Sequence, residues 1–168
     1  MAHLILLIGL PGSGKSYWVE QFVAQSPGKS VISTDRIRAQ LFGDEAIQGP
    51  WHFIWRRLQS EFCHAARQIN LGEVSVAIYD ATNAARQQRR SAIALARANG
   101  FTNITGVQFD TPLEVCLERN CRRSRIVPEA VILRMHRRLQ NAPPTFKEGF
   151  DQLLHQPPSS VRKLPSSQ

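Results

Sequence analysis

The stretch Gly9-Leu-Pro-Gly-Ser-Gly-Lys-Ser16 decides how this chain folds. It matches the phosphate-binding loop G-x-x-x-x-G-K-[ST], the Walker A motif, at every fixed position. The apolar run 4–8 before it predicts a buried parallel strand, and segment 17–23 after it has the apolar spacing of a helix. The G-x-G-x-x-G pattern of dinucleotide-binding loops is absent. A strand, this loop and a helix in that order predict a site for the phosphates of a nucleotide.

Each residue type in the loop suits one part of a bound nucleotide. Glycine lets the backbone wrap closely and point N–H groups at phosphate, and the helix N-terminus favours the same anion. We expect Lys15 to reach the outer phosphates of ATP and the Ser16 hydroxyl to ligate magnesium. The residues expected to bind ATP here are Gly12, Ser13, Gly14, Lys15, Ser16 and Tyr17.

Length and composition limit the class of protein. The chain has 168 residues, and no apolar run approaches the roughly 20 residues of a membrane span. We predict one domain over 1–155 and a disordered Pro/Ser-rich tail over 156–168. The three cysteines form no C-x-x-C pair, and the N-terminus lacks the basic start of a signal peptide. These features predict reduced thiols, a cytoplasmic location and no membrane partner.

The net charge of +8 comes mainly from arginine. Arginine suits bidentate recognition of phosphate, so a polyanionic partner such as nucleic acid is one interpretation. An arginine-rich proteome, or arginines that contact only ATP, is the other interpretation.

Asp35 and Asp80 each follow the end of a predicted strand. Ligands of open α/β sheets bind beyond the carboxyl ends of the strands, so both carboxylates are expected near the phosphates. Asp35 either accepts a proton from an attacking hydroxyl or only caps its helix. Asp80 either supports magnesium or builds a turn with Asn83. The residue after Asp80 is Ala81 rather than a second acid, which argues against an ATP-driven motor.

Four arginines fall within seven residues before Pro128: Arg119, Arg122, Arg123 and Arg125. Like charges this dense predict a lid that closes over the ATP phosphates, or else a solvated basic helix end.

A long helix beginning at Trp51 carries an apolar stripe at helical spacing. The stripe predicts core packing, and base stacking by Trp51 or Trp55 is the alternative.

Together these pieces resemble the 5′-kinase domain of phage polynucleotide kinase and its relatives, an AAA-type, zeta-toxin-like family of P-loop kinases. The resemblance rests on the phosphate loop, on Asp35-x-x-Arg38, on Asp80-x-Thr-Asn, and on the lid Arg119-Asn-x-x-Arg123 followed by Val127-Pro128. It implies an α/β P-loop kinase fold, with a parallel sheet flanked by helices and an arginine-rich lid.

The resemblance also implies a reaction, the transfer of the γ-phosphoryl group of ATP, with Mg²⁺, to a hydroxyl. The acceptor it favours is the 5′-hydroxyl of a polynucleotide. A small-molecule kinase of the same fold and a non-catalytic ATP-binding switch remain alternatives.

Particular residues acquire roles through the same resemblance. Asp35 would activate the acceptor hydroxyl, and Arg38 would bind the phosphate of the acceptor. Arg123 would reach the transferring phosphoryl group, and Arg119 would lie near the adenine. Asp80, with the Ser16 hydroxyl, would hold the metal.

Overall fold

The computed structural model describes residues 1–25 and 27–158, so most of the predicted tail, from 159 onward, lies outside the described residues. The described residues form one parallel sheet of five strands. These are β1 (Ala2–Ile8), β2 (Lys29–Ser33), β3 (Val76–Asp80), β4 (Phe101–Phe109) and β5 (Gln152–Gln156). Their order across the sheet is β2-β3-β1-β4-β5. The last strand, β5, includes Gln156, the first residue of the predicted tail.

Helices alternate with the strands along the chain. They are α1 (Lys15–Gln25), α2 (Thr34–Phe42), α3 (Trp51–Asn70), α4 (Arg86–Ala98), α5 (Leu113–Cys121) and α6 (Glu129–Asn141), followed by a 3₁₀ turn, Phe146–Glu148. The predicted α/β fold, a parallel sheet flanked by helices, is confirmed. None of the helices in the described ranges is both long and apolar enough to cross a membrane.

The central strand β1 is buried on both faces. Leu4, Leu6 and Ile8 pack into a core with residues of α3 and α4. Ile5 and Leu7 point the other way, into a second core that includes residues of α1. Successive side chains of a strand face opposite sides, so a strand covered on both sides has to be apolar at every position. The apolar run before the phosphate loop is therefore explained by its place in the middle of the sheet.

The stripe of α3 is buried from its second turn onward. Ile54, Leu58 and Phe62 are almost fully buried, and Trp55 packs partly buried against them. Trp51, however, is 51% exposed. The prediction that Trp51 belongs to the core is wrong, because helical spacing fixes the face of a residue but not whether a neighbour covers it.

Ser33 determines where α2 begins. Its side chain accepts a hydrogen bond from the Arg36 backbone N–H at 3.4 Å, as an N-cap does. Asp35 lies inside the first turn instead. The alternative in which Asp35 serves as the helix cap is therefore wrong.

Candidate active site

A cleft of about 1040 Å³ opens where the carboxyl ends of β1, β2 and β3 meet. Almost every residue that the sequence analysis selected lines it: Gly12, Gly14, Lys15, Ser16, Tyr17, Asp35, Arg38, Asp80, Arg119 and Arg123. Ser13 is buried in the loop itself and is not part of the lining. The fold thus brings together residues that are more than a hundred positions apart in the sequence.

The phosphate loop requires glycine at position 12. Gly12 has a φ of 82°, and a Cβ placed on it would lie 2.5 Å from the backbone oxygen of Cys116. Both the left-handed conformation and this close approach exclude other side chains. The loop thereby lies against the middle of α5, the helix that carries Arg119.

Lys15 is buried in the first turn of α1. Its Nζ donates hydrogen bonds to the carbonyl oxygens of Gly9 and Leu10, at 2.8 and 2.9 Å. Burial lowers the pKa of Lys15 to about 8, and the nearby carboxylate of Asp80 partly opposes that shift. At neutral pH the side chain therefore remains an ammonium group.

Hydrogen bonds from neighbouring segments fix the phosphate loop. The Gly9 N–H donates to the Thr82 carbonyl at 3.0 Å, and the Thr111 hydroxyl donates to the Ser13 carbonyl at 2.8 Å. The buried hydroxyl oxygen of Ser13 has no hydrogen-bond partner among the described residues. A phosphate oxygen in the loop would satisfy that hydroxyl, so the loop fits the group that the motif implies.

The segment after β3 is joined to the end of β1. Asn83 has a φ of 48°, and its side-chain amide donates to the Leu7 carbonyl at 2.8 Å. Asn83 thus holds the chain after Asp80 beside the phosphate loop. Burial raises the pKa of Asp80, while the Lys15 ammonium group lowers it. Asp80 and Ser16 line the same cleft and offer two oxygen ligands of the kind that Mg²⁺ prefers.

A buried ion pair is hydrogen-bonded to the backbone of this segment. Arg89 is fully buried and makes two hydrogen bonds to the Glu148 carboxylate, at 2.6 and 2.8 Å. The same guanidinium donates to the carbonyls of Asn83 and Ala84, at 3.2 and 3.1 Å. The sequence analysis missed this pair. In the sequence Arg89 is one of several polar residues of an amphipathic helix, and its partner lies 59 positions away.

Asp35 lies between two arginines. Its Oδ1 is 2.9 Å from a terminal nitrogen of Arg38, one turn along α2, and 3.1 Å from a terminal nitrogen of Arg125. Arg125 also approaches the Glu45 carboxylate at 3.8 Å. The Nε of Arg38 is buried without a hydrogen-bond partner in the described part of the chain. A guanidinium with a free donor beside a carboxylate is suited to an anionic group of a second ligand.

The predicted arginine lid is partly helical. Arg119 belongs to α5, and its guanidinium lies 3.4 Å from the Gly12 carbonyl oxygen. The loop proper runs over 122–128, and the exposed side chain of Arg123 lines the cleft. Asn120 closes this loop through two hydrogen bonds to the backbone of Val127, at 2.8 and 3.0 Å. No sequence pattern indicated the role of Asn120 or the contact between Arg125 and Asp35, because spacing alone does not show where a loop folds back.

Parallel-sheet topology, the loop geometry and the buried lysine define the site as that of a P-loop nucleotide-binding protein. Residues 4–142 match the family model AAA_33, described as an AAA domain. The chain belongs to this family of P-loop kinase domains, and the predicted resemblance to P-loop kinases is confirmed.

Individual relatives differ in the substrates that their names record. An L-seryl-tRNA(Sec) kinase of Methanococcus maripaludis is 28% identical over 153 residues, which are 88% of this chain and 56% of that protein. The chain thus spans about half the length of this curated relative. A chain in the Pnkp1/Rnl/Hen1 RNA repair complex shares the fold with a TM-score of 0.68 and 23% identity, over 89% of this chain and 46% of the other. A gluconokinase from Sinorhizobium meliloti 1021 has a TM-score of 0.59 and 17% identity, over 95% of this chain and 84% of the gluconokinase chain.

Proposed function

We propose that this protein transfers the γ-phosphoryl group of ATP to the 5′-hydroxyl of a polynucleotide. The observation that carries the proposal is the pair Asp35 and Arg38. They lie one helical turn apart on the wall of the phosphate-loop cleft, and the Nε of Arg38 is buried without a partner among the described residues. A carboxylate beside a guanidinium suits an acceptor that carries a hydroxyl and a phosphate close together.

The 5′-terminal nucleoside of a nucleic acid is such an acceptor. Its 5′-hydroxyl is the nucleophile, and a phosphodiester follows on the same sugar. Asp35 would take the proton of that hydroxyl as it attacks, and Arg38 would hold the phosphodiester. Arg125, which now contacts Asp35, would have to share or release it when the hydroxyl arrives.

The other wall of the cleft would serve ATP. Ser16 and Asp80 would hold Mg²⁺, which neutralises the charge on the phosphates when it is bound. Lys15 and Arg123 would meet the negative charge that spreads over the transferred group. Arg119, beside Gly12, would lie near the adenine. The names of the seryl-tRNA kinase and of the RNA repair complex lend support to an RNA acceptor.

A panel of acceptors with γ-labelled ATP tests the proposal. It contains 5′-hydroxyl RNA and DNA oligonucleotides, the same oligonucleotides with a 5′-phosphate, seryl-tRNA and gluconate. We expect label on the 5′-hydroxyl strands and none on the 5′-phosphate strands. Label on gluconate alone would establish a small-molecule kinase, and label on the seryl group alone would place the acceptor hydroxyl elsewhere on an RNA. ATP binding without any transfer would favour a nucleotide-binding switch.

Asp35→Asn tests the chemistry, because it keeps the shape of the side chain and removes the base. We expect single-turnover transfer to fall about 100- to 10,000-fold, the range for general acid–base catalysis, with ATP affinity unchanged. Asp44→Asn is the matched control, since Asp44 is exposed on the following loop and does not line the cleft. Equal transfer by the wild type and Asp35→Asn would remove Asp35 from the mechanism. A parallel loss of ATP affinity would instead assign it to the metal.

A further inference from the structure

An exposed tryptophan stands at the acceptor side of the cleft. Trp51, the first residue of α3, is 51% exposed although it lines the same cleft as Asp35 and Arg38. Exposure of a large aromatic ring to water is unfavourable, and the core of the protein does not use this one. Trp51 has no role in the proposed reaction as described above.

The segment before α3 passes close to the end of α2. Gly49 has a φ of 54°, and a Cβ on it would lie 2.3 Å from the ring of Phe42. Only glycine therefore lets the loop pass so close to the end of α2. Pro50 then precedes the first turn of α3 with its backbone extended. This close approach brings the start of α3, and with it Trp51, beside the end of α2, the helix that carries Asp35 and Arg38.

A second ring supports the first. The centroid of Trp55 is 6.4 Å from that of Trp51, with the two planes tilted by 34°. Trp55 also lines the cleft, and it packs partly buried against the main core. The exposed ring thus rests on one that is anchored in the protein, and little rotamer freedom remains to be lost when a ligand stacks on it.

We infer that Trp51 is a stacking platform for a nucleobase at the 5′ end of the acceptor strand, an inference that rests on the proposed function. Proteins that bind single strands combine cationic groups for the backbone with aromatic rings for the bases. Here Arg38 on α2 supplies the cationic group, and Trp51 on the adjoining helix α3 supplies the aromatic ring. Every base has a flat π-face, so this platform tolerates any sequence but requires a base.

Trp51→Ala should raise the KM for a 5′-hydroxyl oligonucleotide about 5- to 30-fold, in the lower part of the range for base–aromatic stacking. The KM for ATP and the kcat at saturating oligonucleotide should change little. Trp51→Phe should restore most of the affinity, because it keeps a ring. Phe146→Ala is the control, since Phe146 is 63% exposed and does not line the cleft.

Abasic acceptors make the test specific for stacking. A set of oligonucleotides carries one abasic site at the first, second or third nucleoside from the 5′ end. At one of these positions the loss of the base should raise the wild-type KM by about the same factor as Trp51→Ala does. The oligonucleotide KM of the Trp51→Ala variant should not rise further when the same base is removed, because the ring on which that base stacks is already absent.

Additive effects of the abasic site and Trp51→Ala at every position would overturn the inference, as would an unchanged oligonucleotide KM in Trp51→Ala. In both cases the wild type still phosphorylates the oligonucleotide, so the proposed function stands. If the wild type phosphorylates no oligonucleotide, the proposed function and this inference both fail.

Discussion

Lys15 shows how burial sets the charge of one functional group. In the first turn of α1 it has lost most of its contact with water, and this desolvation lowers its pKa to about 8. Its ammonium group donates to the carbonyls of Gly9 and Leu10, and the nearby carboxylate of Asp80 also favours the charged form. A bound triphosphate would add negative charge and raise the pKa again, so nucleotide binding and protonation of Lys15 are linked.

This linkage predicts a pH dependence. The protonated form binds phosphate, and the free protein loses that form as the pH rises through about 8. The Kd for ATP should therefore be nearly constant from pH 6.5 to 7.5 and about tenfold weaker at pH 9, because each pH unit above the pKa removes tenfold of the charged form. Isothermal titration in two buffers of different ionisation enthalpy should also reveal proton uptake near pH 8.

Lys15→Arg serves as the control, because a guanidinium remains charged throughout this range. Its Kd should not vary between pH 7.5 and 9. Burial raises the pKa of both Cys116 and Tyr79, which moves the titration of these groups away from the same window. A wild-type Kd that is independent of pH from 7 to 9 would show that Lys15 does not meet the phosphates.

At the scale of elements, the side chain of Asn120 bridges the two ends of the loop between α5 and α6. Asn120 is buried at the end of α5, and its amide makes two hydrogen bonds to the backbone of Val127 across the loop. Within the loop so closed, Arg125 reaches Asp35 while Arg123 lines the cleft. The loop that Asn120 closes therefore presents two guanidinium groups, those of Arg123 and Arg125, to the cleft.

Asn120→Ala should open this loop. Both hydrogen bonds to Val127 are lost at a partly buried position. We therefore expect the free energy of unfolding, measured by denaturant titration, to fall by about 1–3 kcal/mol. Trypsin should also cut faster after Arg122, Arg123 and Arg125, because a loosened loop fits a protease better.

Asn141→Ala is the matched control, since Asn141 is exposed at the end of α6. Unchanged stability together with an unchanged pattern and rate of cleavage in Asn120→Ala would mean that the loop keeps its shape without the hydrogen bonds of Asn120.

At the scale of the whole molecule, both the protein and its cleft carry an excess of positive charge. The net charge is +8. Five cationic side chains line the cleft, Lys15, Arg38, Arg119, Arg123 and Arg125, against the two carboxylates of Asp35 and Asp80. Such a field attracts polyanions and releases their counterions on binding.

A polynucleotide acceptor should therefore bind with a steep dependence on salt. The oligonucleotide KM should rise strongly between 50 and 200 mM salt, and Arg38→Ala should reduce the slope of log KM against log salt by about one unit. ATP binding should be nearly unaffected. Arg57→Ala is the matched control, because Arg57 is paired with Glu61 on the surface of α3 and does not line the cleft. A flat slope in the wild type would count against a polynucleotide and in favour of a small acceptor.

Local patterns along the chain were enough to predict the phosphate loop, the parallel sheet and the strand-end acids Asp35 and Asp80. Each rests on a short-range rule: a loop motif between a strand and a helix, an apolar run in a central strand, a polar residue where a parallel strand ends. The same rules predicted the helix after the phosphate loop and the long helix beginning at Trp51, and both are present. The dense run of arginines predicted a group facing the phosphates, and three of its four members, Arg119, Arg123 and Arg125, line the cleft. Arg122 instead is exposed and paired with Glu118 on the surface of α5.

Only the tertiary structure decided which side chains meet across long distances. The Arg89–Glu148 pair, the contact of Arg125 with Asp35, and the exposure of Trp51 depend on how separate elements pack. Periodicity gives the direction in which a side chain points relative to its own helix or strand. It carries no information about the element that covers that side chain, because that element comes from a remote part of the sequence.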